Sequence, residues 1–145
     1  MSHTDDPLLA ALLAKFAAAD TCWMSSVRPD GRAHLAPIWH VWHAGCAYVC
    51  TPARAVRATN VAHNASVSLS LPDPYAVLII EGTAQPAPEM EATLQPFFYT
   101  KYDWDISTDP DYDLILRITP RKIMAWGDHG EGRWHFPEGG AHGSS

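Results

Sequence analysis

The residues best suited to chemistry in this sequence are two arginines that follow an apolar, strand-like run. The run AYVC leads into TPARAVRATN at residues 51–60, where Thr51 suits a helix N-cap and Pro52 suits the first helical position. A helix predicted to begin at Pro52 presents free backbone N–H groups and the positive end of its dipole to an anion. Arg54 and Arg57, three residues apart, would share one face of that helix. The pattern favours a phosphate site, although a capped surface helix with two solvated arginines fits it as well.

Composition limits the classes of protein. The chain has 145 residues, 47% of them apolar and 18% charged, which is typical of one globular domain rather than of a disordered chain. Ten basic and 16 acidic residues give a formal net charge of −6, which repels a nucleic-acid backbone. We therefore expect no nucleic-acid partner, whereas a local basic patch can still bind one small anion.

The start of the chain and its cysteines indicate the compartment. The segment MSHTDDPLLAALLAKF has no basic stretch before its apolar run, and Lys15 interrupts that run, so neither a signal peptide nor a membrane span is predicted. Cys22, Cys46 and Cys50 form no C-x-x-C pair and are expected to be reduced, buried thiols. These features predict a cytoplasmic protein without a membrane partner.

Hydrophobic periodicity predicts a mainly β chain with a few helices. An apolar stripe at helical spacing predicts a first helix at about residues 7 to 18. Pro-Asp-Gly at 29–31 predicts a hairpin turn within three consecutive antiparallel strands, and Pro96 should end or kink a helix in 86–102. The predicted strands cover about 21–27, 33–43, 46–51, 66–71, 75–85, 112–119 and 121–127, with a helix at about 52–63 and a polar, glycine-rich tail from Gly127.

About seven short strands in a chain of this length need closure to hide their edges. We therefore predict one domain over residues 1–145, a small antiparallel Greek-key barrel with helices packed outside it. The ends, at 1–6 and 138–145, are predicted to be flexible, and His129, His135 and His142 are expected to be solvated.

The sequence offers little for a metal ion or a nucleophile. On a predicted strand His40 and His43 point to opposite faces, and His34 lies roughly 20 Å from His40, so these residues and His63 predict no metal site. There is no G-x-S-x-G elbow, Walker loop or G-x-G-x-x-G motif. The acidic run YDWDISTDPDYD at 102–113 is interpreted as a solvated loop. An enzyme built on this sequence would carry its chemistry on a bound cofactor, and no side chain is assigned as catalytic.

Six tryptophans are many for this length. Trp39 and Trp42 are predicted on opposite sides of one strand, so that one of them can face the barrel interior and the other is free. The free tryptophan could meet a helix, a partner subunit or a planar ligand.

The order of these segments resembles the pyridoxamine-phosphate-oxidase-like family of flavin-binding split barrels. The resemblance rests on the turn P-D-G-R and the segments HLAPIWHVW, AYVCT, ARAVRATNV, SVSLSL and VLIIEGTAQ, and it covers about residues 8 to 127. It implies a homodimer of split barrels that binds FMN, or the deazaflavin coenzyme (factor 420), at the subunit interface. It also implies an oxidoreductase in which hydride passes through the bound cofactor.

The resemblance also implies which residues hold the cofactor. One strand would lie along the edge of the isoalloxazine ring, and Trp39 would extend that strand toward the ligand. The residues of this strand are His34, Leu35, Ala36, Pro37 and Ile38. Val49, Cys50 and Thr51 would lie next to the ribityl chain.

Three further residues follow from the same resemblance. Arg57, three residues before Asn60, matches the basic phosphate ligand of the family, and Arg54 lies one residue from its second basic position. Trp126, in KIMAWG, resembles an aromatic residue that the partner subunit contributes to the cofactor pocket.

The chain departs from the family pattern at its C-terminal end. True pyridoxamine phosphate oxidases end in an arginine-rich substrate clamp, which GRWHFPEGG does not resemble, so the vitamin salvage reaction is not expected. APIWHVW and the ending AWG…RWHF look closer to deazaflavin-dependent reductases of the family. FMN is the predicted cofactor and the deazaflavin coenzyme the first alternative. Two further alternatives concern the function: a non-catalytic module that stores or senses a flavin or haem, and an empty dimeric barrel. No substrate is predicted.

Overall fold

The computed structural model describes residues 6–137. Of the ends predicted to be flexible, at 1–6 and 138–145, only Asp6 is described, and it caps the first helix. The rest of both ends, with His142, lies outside the described residues. The helices are α1 (Pro7–Ala18), α2 (Val56–His63) and α3 (Glu91–Tyr102), with 3-10 turns at Pro88–Met90 and Ile106–Thr108. The strands are β1 (Cys22–Val27), β2 (Ala33–Ile38), β3 (Val41–His43), β4 (Cys46–Thr51), β5 (Ser66–Ser70), β6 (Ala76–Pro86), β7 (Leu114–Gly127) and β8 (Gly132–His135). The chain is mainly β, as predicted. No helix within 6–137 is long and apolar enough to cross a membrane.

One antiparallel sheet holds all eight strands in the order β2-β1-β5-β6-β7-β4-β3, with β8 beside β7. β2 and β3 are therefore the two ends of the strand order, yet only Trp39 and His40 separate them along the chain. That link keeps Ile38 within about 11 Å of Val41, because a chain can span only about 3.6 Å per residue. The sheet must curl to bring its ends so close, and the result is a sheet of the split-barrel type.

The main core fills the concave side of the curled sheet. α1 lies over it with Leu9, Leu12 and Phe16 fully buried, which confirms the predicted stripe and the predicted span of this helix. Asp6 caps α1, its Oδ1 accepting from the Leu8 N–H at 2.9 Å, which satisfies one of the free donors of the first turn.

A second, smaller core lies between α3 and the other side of β4. Leu94 and Phe98 of α3 are fully buried there against Val41, Tyr48 and Ile115. Because side chains alternate along a strand, β4 gives Ala47 and Val49 to the main core and Tyr48 and Cys50 to the second one. This packing holds α3, and the connection that follows it, beside the end of β4.

The predicted single strand at 33–43 is wrong, because the structure splits it at Trp39 and His40. The backbone N–H of His40 donates to the Tyr102 hydroxyl at 3.0 Å, and its ring bonds to the Phe16 carbonyl at 2.8 Å. Contacts from α1 and α3 therefore take the place of ladder bonds at this point. The predicted run of three consecutive strands fails for the same reason, since β4 pairs with β3 and β7 and not with β2.

The predicted break at Pro120 is also wrong, because β7 runs through the proline as one strand. The register between β6 and β7 shifts between Glu81 and Gly82, opposite Pro120. A Cβ added to Gly82 would lie 2.3 Å from the Thr119 carbonyl oxygen, so this irregular pairing requires glycine. Similarly, Pro96 lies inside α3 without ending it.

The segment after Gly127 was predicted as a polar, glycine-rich tail, whereas it contains β8. Trp134 and Phe136 are buried on the main core, and the Trp134 indole N–H donates to Asp6 Oδ2 at 2.8 Å. His135 lies on this strand opposite Lys122. Two buried aromatic rings outweigh the glycine-rich composition of the segment.

Candidate functional site

A cavity of about 430 Å³ opens where β2 ends, between β4, α2 and the connection from α3 to β7. This volume lies within the range of sites for small molecules and cofactors. The lining residues come from four separate parts of the chain: Pro37, Ile38, Trp39, Cys50, Arg57, Trp104, Asp109 and Tyr112.

Five of the twelve residues that the resemblance assigns to a cofactor lie together in this lining. They are Pro37, Ile38, Trp39, Cys50 and Arg57. Cys50 is a buried thiol whose pKa burial raises to about 12, so it is a neutral, apolar part of the wall.

The other seven assigned residues lie outside the lining. His34 and Ala36 are half-buried on β2, while Leu35 faces the opposite side of the sheet with 62% exposure. Val49 and Thr51 are buried in β4, and Arg54 is exposed. Trp126, opposite Val77 in the β6–β7 pair, is 46% exposed. The single chain therefore does not bring Trp126 to this cavity.

The helix start predicted at Pro52 is wrong. Thr51 is the last residue of β4, paired with Leu114 and fully buried, so it cannot act as an N-cap. A turn closed by a bond of 3.0 Å from the Ala55 N–H to the Pro52 carbonyl follows, and α2 begins at Val56 without a side-chain cap. Arg54 therefore lies in the turn, and the predicted sharing of one helical face with Arg57 does not occur.

An aspartate of the acidic connection supports this turn. The Ala53 N–H donates to Asp113 Oδ1 at 2.8 Å, across 60 residues of sequence. One of the N–H groups near the start of α2 is thus already bound to a carboxylate. Asp113 itself is exposed, but Ile106 in the same acidic run is buried, so the interpretation of 102–113 as a solvated loop is wrong at Ile106.

A basic cluster lies beside the cavity, and we define it as Arg28, His34 and Arg57. The Nε atoms of both arginines and Nδ1 of His34 are buried without a hydrogen-bond partner among residues 6–137. Burial lowers the pKa of His34, and the charges of Arg28 and Arg57 lower it further. Buried donors without partners are rare in folded proteins, so the cluster suits an anion with several acceptor oxygens.

The wall opposite β2 is aromatic and escaped prediction from the sequence. Trp104 and Tyr112 both line the cavity, with ring centroids 5.1 Å apart and edge to face. The Trp104 indole N–H donates to Asp109 Oδ2 at 2.9 Å, which fixes the ring and the carboxylate together. The sequence did contain a signal for this wall, namely two large aromatic residues, Trp104 and Tyr112, within an acidic run. Such residues favour burial, so their presence in a polar segment indicates a contact.

Trp39 joins this wall to the end of β2. Its ring stacks on Tyr102 and meets Trp104 edge to face at 5.8 Å between centroids. Lys101, the neighbour of Tyr102 in α3, donates through Nζ to the carbonyls of Ala17 at 2.9 Å and His40 at 2.7 Å. The link between β2 and β3 is therefore clamped by α3, and the indole is held over the cavity.

These features together fit a ligand with a planar ring system and an attached anion. Aromatic and apolar side chains form the walls of the cavity, while unpaired cationic nitrogens lie at its edge. The polar groups are few, as is usual in cofactor sites.

Three solved structures illustrate what the fold is similar to. A conserved hypothetical protein from Mycobacterium tuberculosis is 23% identical, with a TM-score of 0.70 over 83% of this chain and 84% of the other. A haem-binding protein from Mycobacterium smegmatis is 14% identical, with a TM-score of 0.70 over 83% of this chain, which spans about half, 54%, of that protein. An F420 reductase is 20% identical, with a TM-score of 0.61 over 75% of this chain and 93% of the other.

Identities this low show the shared fold alone, and no curated protein matches the chain. The family model of pyridoxamine 5'-phosphate oxidase, in contrast, matches residues 8–127. That span contains the split-barrel sheet from β1 to β7, the cavity and the basic cluster. By this match over most of its length, the chain belongs to the pyridoxamine 5'-phosphate oxidase family.

Proposed function

We propose that this protein is an FMN-binding oxidoreductase in which hydride passes through the bound flavin. The observation that carries the proposal is the basic cluster with its unpaired buried nitrogens beside an aromatic cavity, in a member of this family. A phosphorylated cofactor with a planar ring system fits both parts of this site, because the phosphate suits the basic cluster and the ring suits the aromatic cavity. The vitamin salvage reaction is not part of the proposal, because the segment GRWHFPEGG does not resemble the arginine-rich substrate clamp of true pyridoxamine phosphate oxidases.

The residues of the chain would bind the cofactor and orient it. Arg57 would hold the phosphate, with Arg54 available from the exposed turn, and Trp39 would cover one side of the ring system. Backbone donors of β2 would face the ring edge, where fixed dipoles stabilise negative charge. The flavin supplies the redox chemistry when it is bound. We assign no side chain as a general acid or base.

We also propose that two copies of the chain form a homodimer through the convex face of the sheet. The register places Trp23 opposite Pro37 on β2 and Ser70 on β5, and Ile79 opposite Met124 on β7, so these side chains share one face. Trp23, Leu35 and Trp126 are all large, apolar and more than one third exposed. Such a face suits burial against a second subunit, which would bring its own Trp126 toward a cofactor. Sedimentation velocity should give twice the mass of the chain, and a monomer at micromolar concentration would exclude this arrangement.

The deazaflavin coenzyme is the alternative ligand on the same fold. Similarity to an F420 reductase favours it. Against it, the connection from α3 to β7 carries five aspartates at 103, 105, 109, 111 and 113, which would repel the acidic tail of that coenzyme. FMN is therefore preferred. A haem module is less favoured, since none of the residues within 6–137 that line the cavity is a histidine.

The absorbance spectrum of the purified protein separates these ligands. Bands near roughly 375 and 450 nm indicate a flavin, and a band near roughly 420 nm indicates a deazaflavin or a haem. A colourless preparation should then quench FMN fluorescence on titration, and failure to do so would reject the flavin. Oxidation of a reduced nicotinamide by the loaded protein distinguishes an enzyme from a storage or sensing module.

A further inference from the structure

The turn between β1 and β2 brings a second arginine to the site. Ser26 is directly opposite His34, and the Arg28 N–H bonds to the Arg32 carbonyl at 2.9 Å, which continues the ladder. Arg28 and His34 are therefore diagonal neighbours on one face, a relation that places Cβ atoms about 7 to 8 Å apart. This distance is within reach of an arginine side chain.

Helix α2 covers the same face. Asn60 Nδ2 donates to Ser26 Oγ at 2.9 Å, and both residues are buried. Arg57 precedes Asn60 by three residues and so lies on the same side of the helix, one turn nearer its start. The hairpin and α2 thus place the three members of the basic cluster on one face, where the charges of Arg28 and Arg57 both act on the His34 ring.

We propose that Arg28 and His34 complete the phosphate site that Arg57 begins, and that His34 takes up a proton when a phosphorylated ligand binds there. This inference rests on the proposed function for the identity of FMN, but not for the anion site itself. It assigns His34 to the phosphate, whereas the resemblance assigned that residue to the edge of the ring.

The electrostatics of the cluster give the reason. The charged groups that act on the His34 ring are Arg28 from the β1–β2 turn and Arg57 from α2; both are cationic, and both favour the neutral imidazole. A phosphate dianion offsets these charges and accepts a bond from the unpaired Nδ1, so its arrival favours imidazolium. Binding therefore tightens as the pH falls from about 7.5 toward about 6, the pH near which the phosphate itself is half-protonated and carries less charge.

Nuclear magnetic resonance of histidine-labelled, full-length protein tests the proton uptake directly. The His34 Cε1–H signal, assigned with the His34→Gln variant, is titrated with pH without ligand, with inorganic phosphate, with FMN and with riboflavin. We expect phosphate and FMN to raise the pKa of His34, and riboflavin, which has no phosphate, to leave it unchanged. An unchanged His34 pKa in the presence of both phosphate and FMN overturns the inference.

Affinity gives a second, independent readout. Linkage of one proton permits up to about a tenfold gain in FMN affinity per pH unit, and we expect a several-fold gain on going from about pH 7.5 to pH 6.5. His34→Gln should abolish this dependence. The matched control is His63→Gln, on the exposed side of α2, which should retain it. Equal pH dependence in wild type and His34→Gln would contradict the proton uptake.

The two proposals can fail separately. If FMN does not bind but inorganic phosphate raises the pKa of His34, the anion site stands and the flavin function is rejected. If FMN binds and the His34 signal does not respond, the flavin function stands and this inference is rejected.

Discussion

The indole of Trp39 lies flat on the ring of Tyr102, with centroids 4.4 Å apart and 2° between the ring planes. Trp39 belongs to the two-residue link between the ends of the sheet, and Tyr102 is the last residue of α3. The Tyr102 hydroxyl accepts from the His40 N–H at 3.0 Å and donates to the Asp20 carbonyl at 2.7 Å. One side chain therefore fixes the link that lets the sheet curl and also forms part of the support of the cavity wall.

Replacing Tyr102 by phenylalanine should destabilise the fold without removing the stacked ring. The change leaves the part-buried His40 N–H and the exposed Asp20 carbonyl without this partner, which costs about 1 to 2 kcal/mol of unfolding free energy, most of it at the His40 N–H. Urea denaturation measures the loss. Tyr99→Phe, at an exposed position of the same helix, is the matched control and should change stability by less than about 0.5 kcal/mol.

His40 should make the protein sensitive to mild acid. Burial lowers the pKa of His40 to about 4, against a weaker upward effect of its bond to the Phe16 carbonyl. Between this value and about 6.5, the pKa of an unfolded histidine, only the unfolded chain binds the proton. The stability contribution is therefore complete above about pH 6.5 and is lost as the pH falls toward 4, by about 2 kcal/mol between pH 7 and pH 5. Urea unfolding at both pH values measures it, and a His40→Gln variant with the same pH dependence would contradict this origin.

Arg57→Ala should weaken FMN binding by about 1.5 to 3 kcal/mol, because it removes a charge-assisted bond to the phosphate. Arg54→Ala is the matched control from the exposed turn and should have a smaller effect, since solvent screens its charge. Fluorescence titration with FMN at constant salt gives both constants. Equal losses in the two variants would argue that the phosphate lies nearer the turn than the basic cluster.

Asp113→Asn should tighten the binding of a phosphorylated cofactor. The amide oxygen can still accept from the Ala53 N–H, whereas the negative charge beside the start of α2 is removed. We expect about a two- to fivefold gain in FMN affinity, the scale of a surface charge near a helix N-terminus. Asp113→Ala, which loses the bond to the turn as well, should gain less. A loss of FMN affinity in Asp113→Asn would show that the Asp113 carboxylate supports cofactor binding and does not compete with the phosphate.

The amino-acid sequence by itself determined the elements whose signals are local. The capped apolar stripe of α1, the Pro-Asp-Gly turn between β1 and β2, and the strands β5 and β6 were all predicted within a few residues of their observed bounds. Turn chemistry and side-chain periodicity act over a few neighbouring residues, so they can be recognised without the partners. The ordered series of such segments was also enough to identify the family.

Only the tertiary structure decided where regular structure is interrupted and which residues of the site meet. The break at Trp39 and His40 depends on hydrogen bonds from Phe16 and Tyr102, which lie 24 and 62 residues from His40. The late start of α2 depends on the pairing of Thr51 with Leu114. Hydrogen bonds and burial between distant residues outweigh local propensity at such points, because an unpaired buried group costs more than a lost helical preference.

The arginines in TPARAVRATN show the same division within the site. The sequence predicted a basic helix start after a strand and ranked Arg57 above Arg54 from the resemblance. The curled sheet and α2 then brought Arg57 together with Arg28 and His34, and left Arg54 in an exposed turn. Charge and local pattern can be predicted from sequence, but the convergence of three side chains from a turn, a strand and a helix requires the folded chain.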